Sequence, residues 1–141
     1  MPENVRIRKE TYIAMNAHAS EAYPDECCGM LLRDDREPAI IDIRKVKNSA
    51  SPHNASERFI IDPAEVYRAE LELEKEGFEI MGFYHSHPDK AAGASRMDRE
   101  YMIPGMLYII ISVFGGNPEN AVCYMKDQTG REVITVDMEI I

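Results

Sequence analysis

The sequence predicts a mixed α/β domain, a central β-sheet with helices packed against it. Three observations carry that prediction. Short apolar blocks at residues 27–33, 80–87 and 107–114 have the length and content of strands. Two longer segments, 11–23 and 62–77, space their apolar residues by three and four, as helices do. The chain, 141 residues with 45% apolar side chains, is long enough to close one core without a disulfide or metal staple. One domain spanning 1–141 is expected.

Each element has a local reason. Tyr12, Met15 and Ala19 mark one side of a helix over 11–23, and Pro24 prevents its continuation. Residues 27–33 read as a strand and Asp34-Asp35 as a turn. Residues 39–46 read as the antiparallel partner, with Ile41, Ile43 and Val46 set against Asp42, Arg44 and Lys45. The stretch 48–57, rich in Ser, Asn and Pro, is a loop that could border a groove. Residues 58–61 read as another short strand. Asp62-Pro63-Ala64-Glu65 is a helix start, with Asp at the cap, Pro in the first turn and Glu three residues on. Val66, Ala69 and Leu73 mark its buried edge with Tyr67 and Leu71 beside it, and Gly77 ends it. Glu70, Glu72, Glu74 and Glu76 form its solvated side. A strand over 80–87, a loop over 88–94 and a short helix over 95–102 follow. The nearly continuous apolar run 107–114 is a central strand. Residues 121–126 and 131–136 flank Asp127-Gln128-Thr129-Gly130 as a hairpin. The sum is about six or seven strands, two main helices and a short one.

Composition excludes several roles. With 25 acidic against 16 basic side chains, a balance of −9, the chain lacks the cationic surface of a nucleic-acid binder or of a protein held on anionic membranes. The N-terminus is charged and has no leader-like apolar stretch, and no apolar run approaches the ~20 residues of a membrane span. Cys27, Cys28 and Cys123 make no disulfide framework and no C-x-x-C pair. They read as reduced, buried thiols of a cytoplasmic protein. His18 and His53 have no motif spacing and read as a helix residue and a loop residue.

The chemistry lies in Gly82-Phe83-Tyr84-His85-Ser86-His87-Pro88 and Ser95-Arg96-Met97-Asp98. On a strand His85 and His87 face one way and Ser86 the other, so both imidazoles can reach one ion. Pro88 ends the strand and a loop leads to Asp98 on the first turn of the next helix. Two His and one Asp with an open fourth position make a catalytic zinc site. Each part also has a plainer reading: Ser95-x-x-Asp98 resembles a helix capping box, and two histidines on a strand could be a half-buried polar face. The full spacing H-x-H-x7-S-x2-D is much rarer by chance than its parts.

These residues resemble the signature of the JAMM (MPN-plus) metalloprotease family, H-S/T-H-P-x6-S-x2-D with a glutamate far upstream. His85-Ser86-His87-Pro88 through Ser95 to Asp98 matches it without departure. The upstream P-x-E-x-C-G stretch is matched by Pro24-Asp25-Glu26-Cys27-Cys28-Gly29, which points to Glu26; Asp25 is a nearby competitor that does not fit the pattern. The resemblance implies an MPN fold with a cytidine-deaminase-like layout and Zn²⁺ held by His85, His87 and Asp98. It further implies Glu26 as general base and Ser95 as hydrogen-bond donor to the oxyanion. Ser86 is then expected to face the core or a supporting partner.

The chain looks like the compact prokaryotic members, lacking segments long enough for the ubiquitin-gripping insertions of deubiquitinating relatives. Such members are associated with peptidase or isopeptidase action after the C-terminal Gly-Gly of ubiquitin-like sulfur-carrier proteins. A deubiquitinase-like isopeptidase with another substrate and a non-catalytic MPN scaffold are the alternatives; scaffold members usually lack part of the ligand set. A zinc nucleoside deaminase would need H-x-E and P-C-x-x-C, and His87 is followed by Pro88-Asp89 instead.

Overall fold

Among the described residues the alternating and helical segments resolve into seven strands and three helices: β1 (Asn4–Ile7), α1 (Lys9–Ala22), β2 (Cys28–Arg33), β3 (Asp42–Val46), α2 (Pro63–Glu76), β4 (Glu79–Pro88), α3 (Arg96–Tyr101), β5 (Leu107–Phe114), β6 (Asn117–Lys126) and β7 (Val133–Ile140). This computed structural model describes residues 4–141. The strands form one sheet in the order β1-β7-β6-β5-β4-β2-β3. Pairs β1–β7 and β4–β5 are parallel and the others antiparallel.

Strand parity divides the core. Met15 and Ala19 of α1 pack on the face carrying Leu31, Tyr84, Ile109 and Ile111. Burying a side chain such as Met15 stabilises the fold by roughly 1.5–3 kcal/mol. The opposite face carries Cys28, Met30 and Leu32 against Ala69 and Leu73 of α2. Ile110, on that same face, packs with Tyr124, Ala92 and Met102 beneath the 88–94 loop and α3. The register aligns Cys28 with His85 and His85 with Ile110, so the histidines share the face on which α2 and the 88–94 loop pack.

The caps of α2 form as expected: the Asp62 side chain accepts from the Ala64 N–H, and Gly77 adopts φ 84, a conformation that favours glycine. All three cysteines are buried and free. Burial pushes the Cys27 thiol up to about 11 and those of Cys28 and Cys123 up to about 12, so they pack as neutral groups.

Several expectations need correction. Residues 58–61 are not a strand, because their backbone groups are taken by the preceding loop: Ser49 N–H donates to Ile60 O and the Ile60 N–H to Asn48 Oδ1. Tyr67 (65% exposed) and Leu71 (46%) do not join the buried edge of α2. Strand β1 was not anticipated, although Val5 and Ile7 are buried while Asn4 and Arg6 are exposed. Four residues carry too little period to be read alone, and β1 forms by pairing with distant β7, which extends to Ile140. Strand β6 begins early, at Asn117, and accommodates Pro118 where the register shifts against β5. Among the described residues no helix is long and apolar enough to cross a membrane.

Candidate metal centre and active site

His85 and His87 stand at the end of β4, on the face shared by α2 and α3. Their Nε2 atoms are 3.3 Å apart. Asp98, in the first turn of α3, places Oδ1 3.2 Å from His85 Nε2 and Oδ2 3.2 Å from His87 Nε2. With metal–ligand bonds of about 2.0–2.1 Å, the ligand atoms of a tetrahedral zinc centre lie about 3.3 Å from one another. The donor set therefore fits zinc in both chemistry and spacing.

The surrounding structure orients these side chains. His87 Nδ1 lies 2.9 Å from the Ala91 carbonyl, a contact that turns Nε2 toward His85 and Asp98. The ring of Phe59 packs on His85 with centroids 4.6 Å apart. Ser95 and Asp98 form a complete capping box: Ser95 N–H donates to Asp98 Oδ2 (2.9 Å) and Asp98 N–H to Ser95 Oγ (3.0 Å). The capping reading and the ligand reading thus describe one geometry, in which the cap aims the carboxylate.

Glu26 precedes β2. Antiparallel pairing joins Cys28 to His85. One step on, Cys27 N–H donates to Ser86 Oγ (2.8 Å) and Ser86 N–H to Cys27 O (3.1 Å). Continuing that register sets Glu26 opposite His87, on the same face. Glu26, His85 and His87 can bring ligand atoms within 4.8 Å of one another. Glu26 is therefore a possible ligand too, but the 3.2 Å contacts of Asp98 to both rings make it the nearer third donor. Glu26 is only 5% exposed, and its Oε2 has no hydrogen-bond partner among the described residues. An orphaned carboxylate oxygen beside two imidazoles is an acceptor left for a ligand or a water. Asp25, the competitor, is exposed.

Electrostatics differ sharply across this small volume. Burial pushes the Glu26 carboxyl up to about 7, against the pull of His87 and with reinforcement from Asp98. Burial also lowers His85, which favours the neutral, ligating ring. For His87, burial opposes the charge, but Asp98, the Ala91 carbonyl and Glu26 outweigh it and raise the pKa. Asp98 is half-buried, which raises its pKa, yet its hydrogen bonds with His85 and His87 hold it well below the usual carboxylate range.

Glu26, His85, His87, Ser95 and Asp98 all line one groove of about 1120 Å³. Residues 56–61, Tyr67, Lys90, Met97 and Tyr101 line it as well. The expectation that the 48–57 loop borders a groove holds at its end, through Ser56 and Glu57. His18 lies apart, on α1, with Nδ1 2.7 Å from Tyr84 Oη, and His53 is exposed in the loop. Asn48, Phe59 and the Ala91 carbonyl were missed from the sequence. Only the Asn in a Ser/Pro-rich loop carried any local signal, and that signal read as a turn.

The family model for prokaryotic homologs of the JAB domain matches residues 8–126. The chain belongs to this family. A JAB-domain chain of this kind also has curated relatives. It is 36% identical over 94 residues to desampylase of Haloferax volcanii, a match covering 65% of this chain and 66% of that protein. It is 31% identical over 93 residues to tail tip assembly protein K of Escherichia phage N15, covering 66% of this chain and 34% of that protein. The chain thus spans just under two thirds of the first relative and about a third of the second. Among solved structures, a protein from Desulfitobacterium hafniense superposes with TM-score 0.80 at 26% identity, over 97% of this chain and 92% of that one. A JAB1/MPN domain protein from Archaeoglobus fulgidus superposes with TM-score 0.61 at 17% identity, over 96% and 98% of the two chains, a likeness of fold. The mixed α/β layout expected of the MPN fold is the one observed.

Proposed function

We propose that this JAB-family chain is a zinc-dependent peptidase or isopeptidase of the JAMM type. It hydrolyses the peptide or amide bond after the C-terminal Gly-Gly of a ubiquitin-like sulfur-carrier protein in the cytoplasm. The observation that carries the reading is the convergence of His85, His87 and Asp98 at 3.2–3.3 Å beside the buried Glu26.

His85, His87 and Asp98 hold the zinc, which when bound supplies a Lewis acid that makes water nucleophilic near neutral pH and polarises a carbonyl. Glu26 takes the proton of the attacking water and passes it to the leaving amine. Burial raises its pKa, which makes it a better proton acceptor than an exposed carboxylate. Ser95 Oγ uses a lone pair to accept the Asp98 N–H, which leaves its own hydrogen for the carbonyl oxygen as charge develops there. Ser86 grips Cys27 and so keeps the Glu26 backbone aligned with β4.

The substrate class is supported by the likeness to desampylase and by the groove. A Gly-Gly tail has no side chains to hold its backbone away from the imidazoles. The test is to incubate the zinc-loaded protein with a sulfur carrier extended beyond its Gly-Gly and to weigh the products. Cleavage after the second glycine, abolished by a chelator, is expected. An intact extension despite bound zinc refutes the substrate assignment.

A further inference from the structure

Glu26 carries its carboxylate into the site with Oε2 unbonded, so its aim depends on how its backbone is held. That backbone lies just beyond the end of the β2–β3 ladder, where Cys28 pairs with Val46. Two residues further along the same register, Asn48 stands beside Glu26, and its side chain takes over from the ladder. Asn48 Nδ2 donates to Glu26 O at 3.0 Å and also reaches Arg58 O (3.1 Å) and Ala55 O (3.3 Å). Asn48 Oδ1 accepts from the N–H groups of Ala50 (3.0 Å) and Ile60 (3.1 Å). The Glu26 N–H donates to Ala55 O at 2.7 Å, inside the same loop. A side-chain amide, with two donor hydrogens and an acceptor oxygen, satisfies both sides of this arrangement at once.

We infer that Asn48 is the positioning residue for Glu26: its carboxamide fixes the backbone from which Glu26 reaches the imidazole pair, and ties that backbone to residues 55–60, most of which line the groove. The inference rests on the proposed role of Glu26 in proton transfer. A displacement of about 1 Å at a proton-transferring group is enough to cost on the order of 100-fold in rate.

The test compares Asn48→Ala and Asn48→Asp with the wild type. The Asp variant keeps the oxygen that holds Ala50 and Ile60 but lacks the donor to Glu26. With the Gly-Gly-extended carrier as substrate, both variants are expected to lose about 10–100-fold in kcat while retaining zinc. In a Glu26→Gln background Asn48→Ala should cost nothing further, because the residue acts through Glu26. Independently of activity, amide exchange at Glu26 should quicken at least about tenfold in Asn48→Ala while that of His85 and Ile110 in the central ladder stays unchanged. An equal loss in both backgrounds, loss of zinc, unaltered exchange at Glu26, or unfolding of both variants overturns the inference. If the wild type does not cleave the carrier, the function proposal fails and the exchange measurement alone decides the role of Asn48.

Discussion

His85 Nε2 and His87 Nε2 stand 3.3 Å apart, and both face the carboxylate of Asp98 across 3.2 Å. Two imidazole nitrogens held this close need a cation or a shared proton between them. Replacing either ring removes one of three donors. His87→Ala is expected to lower zinc affinity by at least about tenfold, read as metal per chain after dialysis. Undiminished zinc would remove His87 from the ligand set.

Glu26→Gln keeps the shape of the side chain and the backbone contacts of Glu26 while removing its capacity to take a proton. Zinc content and melting temperature should match the wild type, and hydrolysis should fall by about 10²–10⁴. Equal activity in the variant would end the assignment of Glu26 as the base.

Removing the metal should loosen the site without unfolding the chain. The core around Ile7, Met15, Leu31 and Ile109 is built from apolar residues on the sheet face opposite the ligands. Zinc at a hundred times its dissociation constant contributes about 2.7 kcal/mol. A chelator should therefore lower Tm by roughly 5–10 °C with the transition still cooperative. A non-cooperative melt after chelation would show that the fold requires the ion.

Gly82 lies where β4 meets Leu107 of β5, and a Cβ there would collide with the Leu107 carbonyl. The obstacle is backbone, which cannot rotate away. Gly82→Ala is expected to destabilise the fold by about 3 kcal/mol or more in urea titrations. It should also weaken zinc binding, because β4 carries both histidines. Wild-type stability in this variant would mean that the two strands can separate locally at little cost.

Asp127 organises the β6–β7 turn. Its Oδ1 accepts from Thr129 Oγ1 (2.7 Å) and Arg131 N–H (3.1 Å). The Thr129 hydrogen bond lowers its pKa most; burial opposes it, and the backbone amides of Glu132, Arg131 and Gly130 lower it further. A carboxylate depressed in the folded state stabilises above its unfolded pKa of about 3.9, and that stability is lost as pH falls through the lower folded value. Asp127→Ala should therefore melt below the wild type at pH 7, with the gap closing under acid. A gap that persists at the lowest pH would show that charge has no part in the turn.

Where neighbours a few residues apart decide the structure, the sequence was legible. The H-x-H parity put two imidazoles on one face, Asp62-Pro63 and Gly77 bounded α2, and Ser95-x-x-Asp98 announced a cap that also aims a carboxylate. Resemblance added Glu26, but no local rule placed it beside the histidines. That required β2 to pair with β4 in one register, a contact across 59 residues between Cys27 and Ser86. Distant pairings leave no periodic trace, which is why β1 went unread and residues 58–61, strand-like in composition, became a groove wall tied to Asn48. Capping and side-chain alternation act over a few bonds and are written into the chain itself. The aim of Glu26 and the shape of the groove depend on the partner each backbone group finds, and only the folded molecule decides that.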